Sequence, residues 1–166
     1  MNRFLQQIVS IALLRAGPQD LPASSTLMGA AIVATAVINA VVMQQYATDA
    51  EPLLHIMLLL GFSLAYLALV LQLTGHMPRF IQSATALFGT DAFISMAAVP
   101  VLVLVGPPTD VTTGGAFAYL ALLIWNVAVV NHILREAMSV STAISLATSL
   151  GYILGASAFV QLVTGG

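Results

Sequence analysis

One acidic side chain, Asp91, stands in the middle of a long apolar stretch of this sequence. It follows Arg79 by twelve residues, which corresponds to about 18 Å along a helix and therefore to the centre of a bilayer. A carboxyl group at that depth costs about 2.5–3.5 kcal/mol on insertion scales, so it is expected to face the interior of a helix bundle. The residues predicted to form a buried polar cluster with it are Asn39, Thr90 and Asn126.

The predicted polar cluster has two interpretations. A carboxyl group at the bilayer centre can take up and release a proton or bind an ion, and would then form a relay in a transporter or channel. The same side chains can instead make a hydrogen bond between helices that fixes their packing, which stabilises a membrane bundle by about 0.6 kcal/mol on average. Both interpretations stay open on the sequence alone.

The other chemically active residue types form no recognisable site. His55, His76 and His132 belong to different depths of the predicted bundle, so a shared metal site is not expected. Glu51 and His55 are four residues apart, which fits a contact at a helix end better than a metal site. The sequence contains no H-E-x-x-H, G-x-S-x-G or glycine-rich phosphate motif. We therefore predict a protein that is not an enzyme and binds no metal or cofactor.

The composition assigns these residues to a membrane protein. The chain has 166 residues, of which 60% are hydrophobic and 6% charged, and its mean hydropathy is +1.02. Soluble domains carry about a quarter charged residues, so four basic and six acidic side chains could not cover a soluble protein of this size. The net charge is -2 without a basic block, which argues against a nucleic-acid partner.

Five apolar stretches are long enough to cross a bilayer, which requires roughly 20 residues per helix. They cover about residues 26–44, 53–73, 80–105, 116–134 and 143–163. Proline, glycine and charged residues separate them, and the connections are too short to form a soluble domain. The sequence predicts one all-α membrane domain over residues 1–166, built as a bundle of five transmembrane helices.

Residues 2–15 have a different pattern from the five spans. Phe4, Ile8 and Ile11 recur at helical spacing, whereas Gln6 and Ser10 fall on the other side of the helix. A signal peptide would need a longer apolar core and a small-residue cleavage site. We predict a short amphipathic helix that lies flat in the membrane interface.

Two features concern the shape and packing of the spans. Pro100 lacks an N–H group and leaves the Met96 carbonyl without its helical partner, so a kink is expected in the third span, either as a hinge or as a fixed bend. Gly151 and Gly155 form a G-x-x-x-G pair in the fifth span, which lets helix backbones approach closely. The pair predicts either a homo-oligomer interface or packing within the chain, and both stay open.

All four basic residues fall on one side of a five-span bundle. Arg3 and Arg15 precede the first span. Arg79 lies between the second and third spans, and Arg135 lies between the fourth and fifth. The loops on the other side contain acidic residues and no basic residue. The positive-inside rule then predicts a cytoplasmic N-terminus and a C-terminus on the outer side of the membrane.

Several short segments in the second half of the chain are similar to those of a known family. They are GHMPRF (75–80), ALFG (86–89), VP (99–100), IWN (124–126), Arg135 and SVSTA (139–143). Over about residues 73–163 the chain resembles the bacterial branch of the Yip family. The resemblance implies five membrane spans, a cytoplasmic N-terminus and a bacterial inner membrane. Eukaryotic Yip proteins have a long polar N-terminal region and act in vesicle trafficking with small GTPases; only about 25 residues precede the first span here, so that role is not transferred.

These observations lead to two functional hypotheses. The first is a small non-enzymatic, Yip-like inner-membrane protein that acts as a scaffold or accessory subunit or organises the bilayer; its partners would be lipid and either a membrane protein or a second copy. The alternative is a small transporter or channel subunit with a proton or ion relay centred on Asp91. A water-filled cavity that reaches Asp91 would favour the alternative. A third hypothesis, an enzyme acting on lipid, would need polar groups clustered at the headgroup level.

Overall fold

A computed structural model describes residues 2–46, 52–105 and 113–165 of the chain. Its α-helices are α1 (Asn2–Ala12), α2 (Ser25–Tyr46), α3 (Pro52–Leu73), α4 (Phe80–Val105), α5 (Thr113–Met138) and α6 (Thr142–Thr164). Short 3-10 turns at Pro18–Asp20 and Met77–Arg79 precede α2 and α4. The described residues contain no β-strand, and the prediction of an all-α fold is confirmed.

Helices α2 to α6 are each long and apolar enough to cross a membrane. The chain is therefore a multi-pass membrane protein. The predicted spans differ from these helices by at most two residues at each end, except for α5. That helix begins three residues earlier and ends four residues later than expected, because Thr113 and Arg135 lie outside its apolar stretch but still continue the helix.

The five long helices form a closed ring. Its neighbouring pairs are α2–α4, α4–α5, α5–α6, α6–α3 and α3–α2, and α3 also contacts α4 and α5. Each helix runs antiparallel to the one that precedes it in the chain. The end of the bundle where α3 and α5 end and α4 and α6 begin is called here the arginine end, because Arg79 and Arg135 lie there. The other end is called the opposite end.

Arg79 holds the helix termini together at the arginine end. Its guanidinium nitrogen Nη1 donates to the carbonyl oxygens of Glu136 and Ala137 at 3.0 and 3.3 Å and to Ser139 Oγ at 2.8 Å. The last carbonyl groups of a helix have no partner within it, and a cation there is favourable for the helix dipole. One side chain at the start of α4 therefore caps the end of α5.

Helix α1 packs on the outside of the ring, against α4 and α5. Its apolar residues Ile8 and Ile11 are buried, and a Cβ atom at Gly89 would lie 2.6 Å from Ile8 Cδ1. Trp125 Nε1 donates to the carbonyl oxygen of Ala12 at 2.8 Å. The apolar face of α1 thus contacts protein. Its flat position in the membrane interface stays a prediction.

Helices α3 and α6 contact each other through glycines and aromatic rings. A Cβ atom at Gly151 would lie 3.0 Å from Tyr66 Oη, and one at Gly155 would lie 2.9 Å from Phe62 Cζ. The Phe62 and Tyr152 ring centroids are 6.1 Å apart. Both glycines of the G-x-x-x-G pair therefore face α3 of the same chain. Of the two possibilities that the sequence leaves open, the structure has packing within the chain.

Pro100 lies inside α4, which continues to Val105. The side chain is exposed on the outside of the bundle. Asp91 precedes it by nine residues, or about 13 Å along the helix. A hinge at Pro100 would therefore move the end of α4 and leave Asp91 on the part that packs against α2.

Candidate functional site

A cavity of about 390 Å³ lies inside the ring and is lined by all five long helices. This volume falls within the roughly 300–1,000 Å³ of small-molecule sites. The polar side chains in its wall are Thr35 and Asn39 of α2, His55 and Ser63 of α3, Thr90 and Asp91 of α4, Asn126 of α5 and Tyr152 of α6. Its remaining lining is aliphatic, apart from Met43 and Phe88.

Asp91 and Asn39 are joined by a hydrogen bond between α4 and α2. Asn39 Nδ2 donates to Asp91 Oδ2 at 3.1 Å, and Ser95 Oγ donates to Asn39 Oδ1 at 3.0 Å. Asp91 and Ser95 are one helical turn apart, so both face α2. This short network fixes the orientation of the carboxyl group inside the cavity.

Thr90 and Thr35 belong to the cavity wall but use their hydroxyl hydrogens elsewhere. Thr90 Oγ1 donates to the carbonyl oxygen of Ala86 at 2.8 Å, and Thr35 Oγ1 donates to that of Phe88 at 2.6 Å. Each hydroxyl has a single hydrogen to donate. Neither residue therefore donates a hydrogen bond to Asp91. Thr90, which the sequence assigned to the polar cluster, lies in the cavity wall without a direct hydrogen bond to Asp91.

Asn126 and His55 extend the cavity away from the Asn39–Asp91 pair. Asn126 lines the same cavity from α5, but within the described part of the chain it makes no hydrogen bond with Asp91. His55 lies one turn after the start of α3, so the cavity reaches from the middle of the bundle towards the opposite end. The proposed contact between His55 and Glu51 lies outside the described residues.

Ser63 and Tyr152 are functional candidates that the sequence interpretation missed. Their hydroxyl oxygens are 2.8 Å apart, and Ser63 Oγ donates to the carbonyl oxygen of Leu59 at 2.7 Å, which leaves Tyr152 as the donor between them. One signal in the sequence could have indicated Ser63. His55, Leu59 and Ser63 follow at intervals of four residues and therefore share one face of α3.

The arginine half of the ring is packed with side chains that are mostly apolar, together with the buried hydroxyl residues Ser83, Thr85, Ser145 and Ser149. The apolar side chains that are almost fully buried there include Leu67, Leu71, Ala84, Leu134, Ala137 and Met138. The cavity-lining residues closest to this half, Leu87 and Val130, lie about 10 and 12 Å from the ends of their helices along the helix axis. The cavity is thus closed towards the arginine end.

A negative charge on the Asp91 carboxyl group is not balanced by an arginine in the cavity. The four basic side chains of the sequence are Arg3, Arg15, Arg79 and Arg135, and the cavity is lined by none of them. Among the described residues, Arg135 and Glu136 form an ion pair at the arginine end, with 3.1 Å between Arg135 Nη2 and Glu136 Oε1. An ionised Asp91 would therefore have no arginine beside it within the described part of the chain.

Within residues 2–46, 52–105 and 113–165, no group of three or more His, Cys, Asp or Glu side chains lies close enough together to bind a metal ion. The three histidines lie on different elements. His55 lines the cavity, His76 precedes the turn Met77–Arg79, and His132 Nε2 is 2.9 Å from the carbonyl oxygen of Ala16. The polar groups of the cavity are therefore hydroxyl groups, two asparagine amides, one imidazole and one carboxyl group.

Comparisons of the chain with protein-family models, with curated proteins and with solved structures find no match. The resemblance to the Yip family therefore stays a prediction.

Proposed function

We propose that this membrane protein is a small transporter in which Asp91 binds and releases a proton. The observation that carries the proposal is the cavity, which is lined by every long helix and contains the Asn39–Asp91 hydrogen bond. Packing alone does not require a carboxyl group, because two amides would join the helices without the cost of about 2.5–3.5 kcal/mol for an aspartate at mid-membrane.

The asymmetry of the interior favours a transporter over a channel. The cavity extends from Asp91 to His55, near the opposite end, whereas the arginine half is packed with mostly apolar side chains and a few buried serines and threonines. A channel needs a continuous polar path. A transporter exposes its site to one side at a time, so this arrangement corresponds to a state in which the site is closed towards the arginine end.

Proton flux into proteoliposomes tests the proposal. Vesicles that contain a pH-sensitive dye and purified protein are given a membrane potential, and the internal pH is followed. We expect flux with wild type and with Glu136→Gln, which removes a carboxyl group at the arginine end, and no flux above protein-free vesicles with Asp91→Asn. Flux that is equal in wild type and Asp91→Asn, or absent from wild type, would contradict the proposal.

We propose that the arginine end is cytoplasmic and that the membrane is a bacterial inner membrane. The support for the orientation is that Arg79 and Arg135 both lie at this end and that basic residues are retained on the cytoplasmic side. With five spans, the N-terminus would be cytoplasmic and the C-terminus would lie on the outer side. The Yip-like resemblance supports the choice of membrane.

A second candidate function is a scaffold or accessory subunit that organises the bilayer. It is favoured by α1 and the turn that follows it, because Leu5 of α1 and Leu13 and Leu14 of the turn are each about half exposed. The other face of α1 is buried against the bundle. Leucines that are exposed in this way can contact lipid or another membrane protein. Purification in mild detergent and reconstitution test this function: we expect a reproducible membrane-protein partner, a second copy or a change in vesicle size. Recovery as a lone monomer that leaves vesicles unchanged would contradict it.

A further inference from the structure

The charge balance of the central cavity defines the kind of ligand that fits it. Asp91 is the acidic residue among the lining residues, and an arginine is absent from that lining. Burial of an ionised carboxylate is costly unless a positive charge lies beside it. Because the described lining contains no arginine, the charge beside an ionised Asp91 has to come from a protonated His55 or from a positively charged ligand, unless a proton on the carboxyl group removes the charge.

The cavity wall favours an organic cation over a metal ion. Hard metal cations bind six or more oxygen atoms held at short distances. The wall around Asp91 is instead largely apolar, with Leu60, Phe88, Ile94, Val129 and Val130 among its residues. Such side chains lower the free energy of an apolar ligand in proportion to the area that they cover.

A second cavity lies beside the central one. It has a volume of about 400 Å³, lies between α3 and α6, and includes the exposed Ser157 in its wall. Its wall residues His55, Leu59 and Tyr152 also line the central cavity, so these side chains stand between the two cavities. The outside of a transmembrane bundle faces acyl chains, and a movement of these side chains would join this α3–α6 groove to the neighbourhood of Asp91. A ligand that partitions into lipid could use it.

We propose that the central cavity binds a lipophilic organic cation with its charge beside Asp91, in exchange for a proton on that carboxyl group, and that the cation arrives from the bilayer through the α3–α6 groove. This inference rests on the proposed function, because it names the substrate class of the same transport site. The exchange is balanced: the cation enters as the proton leaves, and the charge in the cavity stays the same.

Other titratable groups near the site bear on its pH dependence. The central cavity receives His55 from α3 and Tyr152 from α6, whereas α2 and α5 contribute amides and no titratable side chain to its lining. On α1, which packs against the outer side of α4, the exposed Arg3 is the titratable group. A proton on the Asp91 carboxyl group removes the charge that attracts the cation, so acid is expected to oppose binding. Variants of Asp91 and of His55 have to show which residue carries this effect.

Equilibrium binding of two ions of matched size and opposite charge tests the site. Tetraphenylphosphonium and tetraphenylborate are added to purified protein in detergent at several pH values. We expect the phosphonium ion to bind wild type at least about tenfold more tightly than the borate ion, and acid to weaken its binding by up to about tenfold per pH unit. Equal binding of the two ions, or binding that acid does not weaken, would overturn the inference.

Variants assign the effect to Asp91. We expect Asp91→Asn to lower phosphonium affinity at least about tenfold and to remove its pH dependence, and Glu136→Gln to bind as wild type does. The binding of His55→Gln, whatever its affinity, should still weaken in acid. Measurements on wild type with both ions remain decisive if a variant does not fold. Asp91-dependent proton flux without phosphonium binding would overturn this inference and leave the proposed function standing. The absence of both would overturn both.

A tryptophan in the groove tests the path from the lipid. Ser157 lines the groove, whereas the neighbouring Ala158 is exposed elsewhere on α6. In proteoliposomes we expect Ser157→Trp to slow phosphonium association about tenfold and Ala158→Trp to leave it unchanged. Equal rates in both variants would overturn access through the groove.

Discussion

At the residue scale, the depth of Asp91 could be predicted from its distance to Arg79, because a helix advances by a fixed rise per residue. Its bond to Asn39 was a hypothesis that the structure now describes at 3.1 Å. The position of Asn126 in the wall without a bond to Asp91 could not be predicted, because depth does not determine the rotation of a helix about its axis. Tyr152 was missed for the same reason.

Asp91→Asn should separate a functional from a structural role of the carboxyl group. The amide oxygen of an asparagine at this position can still accept the hydrogen bond from Asn39, and no ionisable group remains at mid-membrane. We expect the free energy of unfolding, measured by titration with a denaturing detergent, to equal that of wild type or exceed it by up to about 2 kcal/mol.

Asp91→Leu is the matched control, because it removes the acceptor and leaves the Asn39 amide without its partner. We expect it to lower the free energy of unfolding by about 1–3 kcal/mol. If Asp91→Asn is destabilising to the same extent as Asp91→Leu, the charge itself stabilises the bundle and the carboxyl group has a structural role.

At the scale of elements, the sequence predicts the long helices well because each is a nearly continuous apolar stretch between helix-breaking residues. It does not predict which helices are neighbours. The G-x-x-x-G pair indicated a close approach, but the partner helix depended on the bulky residues that face the glycines, Phe62 and Tyr66 of α3. Likewise, the apolar face of α1 indicated that this face is buried. The sequence does not say whether protein or lipid covers it, because both are apolar surfaces.

The α3–α6 contact should respond to a single methyl group at Gly155. A Cβ atom there would lie 2.9 Å from the Phe62 ring, and that ring is stacked on Tyr66 and Phe159 with centroids 5.7 and 5.6 Å apart. We expect Gly155→Ala to lower the free energy of unfolding by about 1–3 kcal/mol, because the packed rings resist displacement.

Gly61→Ala is the control for this prediction. A Cβ atom at Gly61 of α3 meets no atom within 4 Å. Alanine is the better helix former, so we expect Gly61→Ala to be neutral or to raise the free energy of unfolding by up to about 1 kcal/mol. Equal effects of the two substitutions would show that α3 and α6 do not pack through these rings.

At the scale of the whole molecule, the composition is sufficient to predict a membrane protein, but the interior asymmetry is visible only in the folded chain. The cavity forms because several helices present polar or small side chains at one level, while leucines and alanines meet at the arginine end. Those residues are far apart in sequence. A one-sided cavity therefore depends on the arrangement of the ring and not on a local pattern.

The orientation in the membrane is tested by two exposed positions in a chain that contains no cysteine. Ser141 lies at the arginine end, before α6, and Thr113 begins α5 at the opposite end. In intact cells we expect a membrane-impermeant thiol reagent to label Thr113→Cys and not Ser141→Cys. The reverse pattern would invert the proposed topology, and labelling of both would contradict an odd number of spans between these two sites.

The most direct test of the one-sided cavity uses two buried serines that are replaced by cysteine. Ser63 is 5% exposed and lines the cavity, and Ser145 is fully buried in the arginine half and does not line it. We expect a small, charged methanethiosulfonate reagent to modify Ser63→Cys in proteoliposomes from the side that also labels Thr113→Cys, and to leave Ser145→Cys unmodified. An unreactive Ser63→Cys would mean that water does not reach the surroundings of Asp91, and would contradict a transport site there.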